Sequence, residues 1–118
     1  MEQRRFGRTG LRVTPIGLGG YPFGGVNRAA GWDPFTPDGR RAAVATIHRA
    51  VERGLTYVDT APGYGAGNSE SIFGEALAQD GRRGRVALAT KCPWNTTAAA
   101  VTAASRPVCA ACRRTPST

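Results

Sequence analysis

The sequence feature that most constrains the fold is a regular alternation of strand-like and helix-like segments. Three short apolar stretches, at residues 15–20, 55–59 and 85–91, have the composition and length of buried strands. The stretches between them carry apolar residues at helical spacing. Strand–helix–strand connections are right-handed and make the strands parallel. We therefore expect an α/β fold with a parallel sheet, which is ordinarily buried on both faces.

Both expected helices have recognisable ends. Thr36 is a good N-cap, and the proline and acid that follow it suit the first helical turn. The apolar pattern then continues to Gly54, a residue typical of a helix end. Ser69 is expected to open the second helix, which ends before Asp80.

The chain divides into two expected regions, residues 1–95 and residues 96–118. The first begins with a β-hairpin over residues 4–14, with its turn at Arg8-Thr9-Gly10, followed by about three βα units. The second is rich in Ala and Thr, contains no acid and shows no apolar stripe. We expect it to be an irregular, non-native or disordered tail, left where truncation or a reading-frame error removed the native continuation.

The net charge of +8 does not indicate a nucleic-acid or membrane partner. The arginines are scattered along the chain and do not alternate with aromatic residues, as a base-stacking surface requires. No apolar run approaches the roughly 18 residues that a membrane span needs. No hydrophobic leader follows the first residues, so we expect a soluble, cytoplasmic protein.

Glycines and cysteines form no complete binding motif. The stretch Gly17-Leu-Gly-Gly-Tyr-Pro22 has proline where a dinucleotide fingerprint needs its third glycine, so tight turns or close backbone approach explain it. Cys109 and Cys112 have the spacing of half a zinc site, but the other soft ligands are only Cys92 and His48. We expect no metal, and we expect His48 to be packed or half-exposed in the first helix.

Three residues with complementary chemistry follow the ends of expected strands. Asp59 ends the second strand, Tyr64 lies in the loop beyond it, and Lys91 ends the third strand. Since the carboxyl ends of neighbouring parallel strands share one rim, these residues should converge. An ammonium beside a phenol stabilises its phenolate, and a carboxylate keeps that ammonium charged and oriented. Such a group is suited to protonate a carbonyl oxygen.

A plainer interpretation of the same residues remains open. Asp59 and Lys91 form an ordinary ion pair at strand ends in that interpretation, and Tyr64 is a surface aromatic. Spacing alone does not separate the two interpretations.

The residues resemble the aldo-keto reductase family from about residue 4 to residue 95. The stretch from Arg5 to Gly20 is similar to the family's opening hairpin and first strand. Asp59-Thr-Ala-Pro-Gly-Tyr-Gly65, with Ser69-Glu70 and Gly74, is similar to the family's signature around its catalytic aspartate and tyrosine. The resemblance implies a (β/α)8 TIM barrel and reduction of aldehydes and ketones by NADPH.

The resemblance also implies roles for individual residues. Tyr64 would be the proton donor, Lys91 its activating partner, and Asp59 the support of the lysine. Gly20 and Tyr21, with Asp59, match positions where the family's chain approaches the nicotinamide.

Two parts of the family pattern have no counterpart here. The family's fourth catalytic residue is a histidine beyond the fourth strand, and no histidine follows Lys91. Most of the family's phosphate-binding residues lie in its last strands, whereas three of eight strands are expected in this chain. A complete barrel needs about 250 residues.

The sequence therefore predicts the N-terminal part of a TIM barrel related to NADPH-dependent oxidoreductases of carbonyl compounds. The alternative is a non-enzymatic, inactive fragment or a remnant that associates with other proteins. Because an open three-stranded sheet leaves two edges and its barrel-facing surface uncovered, we expect a marginally stable or partly ordered chain.

Overall fold

A computed structural model of the protein describes residues 1–92 and 97–102. The chain starts with two antiparallel strands, β1 (Arg4–Arg5) and β2 (Arg12–Val13). A parallel three-stranded sheet follows, with the strand order and chain order identical. Its elements are β3 (Leu18–Gly19), α1 (Pro37–Glu52), β4 (Tyr57–Asp59), α2 (Asn68–Leu77) and β5 (Ala87–Ala89). The expected hairpin and βαβαβ order are both confirmed.

The register of the parallel sheet aligns the ends of its strands. Gly19 pairs with Asp59, and Asp59 pairs with Ala89. The ladder continues one step past each strand, because Gly20 N donates to Asp59 O at 2.7 Å and Thr60 N donates to Ala89 O at 2.8 Å. The segments that leave the three strands therefore start side by side.

The core lies between one face of the sheet and the two helices. Val58 in the central strand is fully buried against Ile47 of α1 and Ile72 of α2. Thr36 caps α1 as expected, since its Oγ1 accepts a hydrogen bond from Gly39 N at 3.1 Å. These apolar contacts supply most of the burial that fixes the helices on the sheet.

One face of the sheet is open in the described part of the chain, as expected for three strands that do not close into a barrel. Residues of β4 on either side of Val58, Tyr57 and Asp59, are only half-buried, and every residue of β5 is half-buried. The reason is that both helices pack on the same face of the sheet. Apart from the Phe6 ring of the hairpin, whose centroid lies 5.7 Å from that of Tyr57, the described residues leave the other face open.

Two expected element boundaries and one expected loop are corrected. Gly67, in a left-handed conformation, precedes α2, which begins at Asn68 instead of Ser69. A 3-10 turn over Arg82–Arg85 occupies the start of the expected third strand, and β5 begins at Ala87. The aromatic loop after β3 contains two 3-10 turns, Tyr21–Gly24 and Arg28–Ala30.

The expected tail lies mostly outside the described residues. Residues 98–102 are helical and exposed. Cys109 and Cys112 lie outside the described residues. Within the described part, no helix is long and apolar enough to cross a membrane.

The end of β3 packs tightly against α2 and β4. A Cβ added to Gly20 would lie 2.5 Å from Ser69 Oγ, 2.7 Å from the Phe73 ring and 2.8 Å from Asp59 O. Gly20 is thus required by close approach within the chain itself, which the sequence left undecided between another backbone and a ligand.

We predict that Gly20→Ala lowers the free energy of unfolding by about 1–3 kcal/mol, because the added methyl overpacks a buried site. The neighbouring Gly19→Ala is the matched control, since a Cβ there meets nothing within 4 Å. Urea titration followed by circular dichroism measures both variants. Equal stability of the two alanine variants would contradict the packing at Gly20.

Candidate active site

The lysine and the aspartate at the strand ends are in direct contact. Lys91 Nζ donates a hydrogen bond to Asp59 Oδ1 at 2.7 Å and another to Thr60 O at 3.1 Å. Lys91 follows β5 by two residues, and Asp59 is the last residue of β4, so the aligned register brings them together. The ammonium is therefore held by one charged and one neutral acceptor.

Tyr64 lies beside this ion pair. Its ring centroid is 4.8 Å from Lys91 Nζ, within the range of a cation–π contact. The ring also packs against Tyr21 in a T-shaped arrangement, with the two centroids 5.2 Å apart. The structure thus brings Asp59, Tyr64 and Lys91 together, in the arrangement that strand-end geometry predicts.

The pKa of Lys91 is raised above the ordinary lysine value. The largest cause is the hydrogen bond to Asp59, followed by a hydrogen bond with the Tyr64 side chain, while partial burial acts in the opposite direction. Lys91 is consequently a stable cation across the neutral pH range. This cation is about half-exposed, with 49% of its side chain accessible.

Contact between two glycines holds the loop that carries Tyr64. A Cβ on Gly24 would lie 2.8 Å from the Tyr64 carbonyl carbon, and one on Gly65 would lie 2.6 Å from Gly24 O. Gly65 also has φ = +62°, a conformation that L side chains rarely adopt. The two backbones therefore touch directly, which fixes Tyr64 against the turn that begins at Tyr21.

A buried polar chain joins the ends of β3 and β4 to α2. Ser69 Oγ lies 2.8 Å from Gly20 O and 2.8 Å from Thr60 Oγ1. Since Ser69 gives its single proton to the carbonyl, Thr60 is the donor in the second bond. Both hydroxyl residues are fully buried, so each bond satisfies a group that has no access to water.

Asn68, the first residue of α2, connects this helix to the turn that follows β3. Its Nδ2 donates to Phe23 O at 3.0 Å, and its Oδ1 accepts from Arg40 at 3.4 Å. Arg40 in turn forms an ion pair with Glu75 at 2.6 Å. The bonds of Asn68 and Ser69 are not predictable from the sequence, because every partner except Thr60 lies more than twenty residues away and the bonds follow no periodic pattern.

The two other expected cofactor-binding residues differ in what they expose. Gly20 is buried, and both its N–H and its carbonyl are hydrogen-bonded within the chain. Tyr21 is 55% exposed at the rim beside Tyr64. Tyr21 therefore offers an aromatic surface to a ligand, whereas Gly20 offers only the space left by its missing side chain.

A cavity of about 240 Å³ lies next to Lys91 and is lined by Ala61, Pro62, Gly63 and Cys92. A larger cavity of about 420 Å³ lies at the opposite ends of the strands, where Arg12, Thr56 and Val86 contribute to its wall. Only the smaller one adjoins the ion pair. In the described residues no group of three or more His, Cys, Asp or Glu side chains forms a metal site.

His48 is half-buried on α1, and its Nε2 lies 2.9 Å from Ala76 O on α2. This contact accounts for the histidine as a link between two helices. His48 lies away from Tyr64. Among the described residues, Tyr64 has no contact with a histidine.

Comparison with known proteins identifies the class. The model of the Aldo/keto reductase family matches residues 15–111. The chain belongs to the aldo/keto reductase family, and the expected fold class, an N-terminal part of a (β/α)8 barrel, is confirmed. The match extends past residue 95, the expected end of the partial barrel domain.

Individual relatives are similar over most of this chain. The aldo-keto reductase YhdN of Bacillus subtilis is 41% identical over 91 residues, which are 77% of this chain and 25% of that protein. The NADH-specific methylglyoxal reductase of Escherichia coli is 36% identical over 92 residues, 78% of this chain and 26% of that protein. The chain thus spans about a quarter of the length of these relatives.

A solved structure gives the same picture. An aldo-keto reductase from Klebsiella pneumoniae in complex with NADPH matches with a TM-score of 0.69 and 29% identity, over 89% of this chain and 33% of that one. NADP(H) is therefore the cofactor found in a structural neighbour of this chain.

We predict that Asp59→Asn lowers the pKa of Lys91, because it removes the largest cause of the raised value. In the native chain the folded state holds this proton more tightly than the unfolded state does. The stabilisation is therefore complete below the ordinary lysine pKa and is lost as the pH rises through the raised one.

The measurement uses the fact that Lys91 is the chain's single lysine. The NMR shift of its Cε is followed through an alkaline titration in the native chain, in Asp59→Asn and in Asp38→Asn. Asp38 is an exposed acid on α1 that pairs with Arg41, so it controls for the loss of one negative charge. An unchanged titration in Asp59→Asn would refute the ion pair.

Proposed function

We propose that this chain carries the proton-donating part of an NADPH-dependent carbonyl reductase site, with Tyr64 as the general acid. The observation that carries the proposal is the Lys91 ammonium, which is bonded to Asp59 and lies over the Tyr64 ring. The substrate class is an aldehyde or a ketone, in keeping with the general reaction of the family.

The proton moves from Tyr64 Oη to the carbonyl oxygen. NADPH, when bound, supplies the hydride that forms the new bond to the carbonyl carbon. The carbonyl π electrons pass to the oxygen, which takes the phenolic proton, so the product is an alcohol. The phenolate then regains a proton from water.

Lys91 lowers the cost of this step by electrostatics. The negative charge that develops on Tyr64 lies beside a fixed cation, and a preorganised charge needs no reorganisation as the proton leaves. The raised pKa of Lys91 keeps the amine protonated at neutral pH, so the cation is present when it is needed.

Asp59 and Thr60 position the cation. The carboxylate and the Thr60 carbonyl both accept from Lys91 Nζ, which they hold 4.8 Å from the centroid of the Tyr64 ring. Asp59 is thus a positioning residue for Lys91 and also a candidate contact for the nicotinamide end of the cofactor.

The cofactor contact that fits best is Tyr21. Its ring is open at the rim and already packs on the edge of Tyr64, so a flat, uncharged ring bound there would lie next to the proton donor. Gly20 contributes by bringing the backbone close. The phosphate-binding residues of the family lie in later strands, so we assign none to this chain.

The alternative function, association with other proteins without catalysis, has its own support. Large apolar side chains are exposed on the described part, among them Phe6, Leu11, Ile16 and Phe35. The uncovered sheet face adds to this surface. NADPH oxidation by the chain with an aldehyde separates the two functions, because an associating remnant produces none.

We predict that Tyr64→Phe lowers turnover by about 10²–10⁴-fold, the usual contribution of a positioned general acid. The assay follows the nicotinamide absorbance of NADPH with a reactive aromatic aldehyde. Tyr57→Phe is the matched control, because it removes the same hydroxyl from a tyrosine at the opposite end of β4. Retained turnover in Tyr64→Phe would refute its role, and no turnover in the native chain would favour association.

A further inference from the structure

The first turn of α2 is connected to the ends of all three parallel strands. Ser69 bonds to Gly20 at the end of β3 and to Thr60 at the end of β4. The next residue, Glu70, accepts a hydrogen bond at 2.7 Å from Thr90, the residue that follows β5. Two consecutive residues of one helix therefore hold the three segments that carry the candidate site.

The contact between Glu70 and Thr90 is the one that bears on Lys91. The regular ladder of β5 ends with the bond that Ala89 O accepts from Thr60 N. Thr90 and Lys91, which follow this bond, are both exposed. In the described chain, the Thr90 hydroxyl provides a side-chain anchor for this segment immediately before the lysine.

We propose that Glu70 is a positioning residue that, by accepting the Thr90 hydroxyl, holds the end of β5 so that Lys91 Nζ stays between Asp59 and Tyr64. The effect on turnover rests on the proposed reductase function. The effect on Lys91 itself rests only on the geometry.

A purely structural role for Glu70 predicts something different. A carboxylate in the first turn of a helix stabilises the helix dipole by about 0.3–1 kcal/mol, wherever the helix lies. Its loss would then weaken the fold without altering the environment of Lys91. The positioning role requires the lysine to respond, and it requires the same response when Thr90 is changed with no change in charge.

The main experiment compares alkaline titrations of the single lysine in the full chain, read from the NMR shift of its Cε. Thr90→Val removes the hydroxyl at nearly constant shape, and we expect the pKa of Lys91 to fall toward the ordinary lysine value. Asp59 and Tyr64 are the titratable groups that contact this lysine, and both remain in the variant. Thr90→Ser restores a hydroxyl and should return the native titration.

Two controls separate positioning from general effects. Thr46→Val makes the same chemical change on α1, where the hydroxyl donates to Ala42 O of its own helix. Glu70→Ala is the second test variant, since alanine is well accommodated in a helix. Asp38→Ala is its control, because it removes an acid from the first turn of α1. We expect both test variants, and neither control, to lower the pKa of Lys91.

Turnover gives an independent readout. If the chain reduces aldehydes, Thr90→Val should lower kcat about tenfold or more with a smaller effect on KM, because a displacement of about 1 Å at a catalytic group costs up to about a hundredfold. A native titration in both Thr90→Val and Glu70→Ala would overturn the positioning role, even with reduced stability. Absence of turnover in the native chain would instead contradict the reductase function and leave the titration result standing.

Discussion

The aligned register of the three parallel strands is the constraint on which the candidate site depends. Because Gly19, Asp59 and Ala89 pair side by side, every segment that follows them begins at the same rim. This register allows Lys91 to reach Asp59 across a separation of 32 residues. A shift of the register by one residue would turn Asp59 to the core face, where Val58 now lies, and separate the charges.

Close backbone contacts turn this alignment into a defined geometry. Gly20 admits Ser69, Phe73 and the Asp59 carbonyl, while Gly24 and Gly65 let two loops touch. Phe23, which lies between Gly20 and Gly24 in the sequence, is buried against Phe73 with the ring centroids 5.5 Å apart. The turn that carries Tyr21 is thus fixed by its core side chain, and the exposed tyrosine ring is left at the rim beside Tyr64.

Much of this arrangement is predictable from the sequence, and the reasons for the remainder are physical. The limits of α1 follow from local chemistry, with Thr36 as its cap and buried residues such as Ile47 at helical spacing. The meeting of Asp59 with Lys91 follows from the rule for parallel strands. The bonds of Ser69 and Asn68 do not, because a hydroxyl or an amide that bonds to a distant carbonyl leaves no periodic signal. The open sheet face is also predictable, because three of the eight strands of a barrel cannot close and cover the surface that faces its interior.

The interactions that stabilise the site differ from those that would perform its chemistry. Lys91 and Asp59 are both more than a third exposed, and exposed ion pairs contribute about 1 kcal/mol or less to stability. The frame is held instead by Thr60 and Ser69, which are fully buried, and by the apolar core beneath them. Because the fold does not depend on the ion pair of Lys91 and Asp59, its geometry can serve the phenol of Tyr64. For the same reason its substitution changes charge and orientation at Tyr64 without removing the contacts that keep the strand ends together.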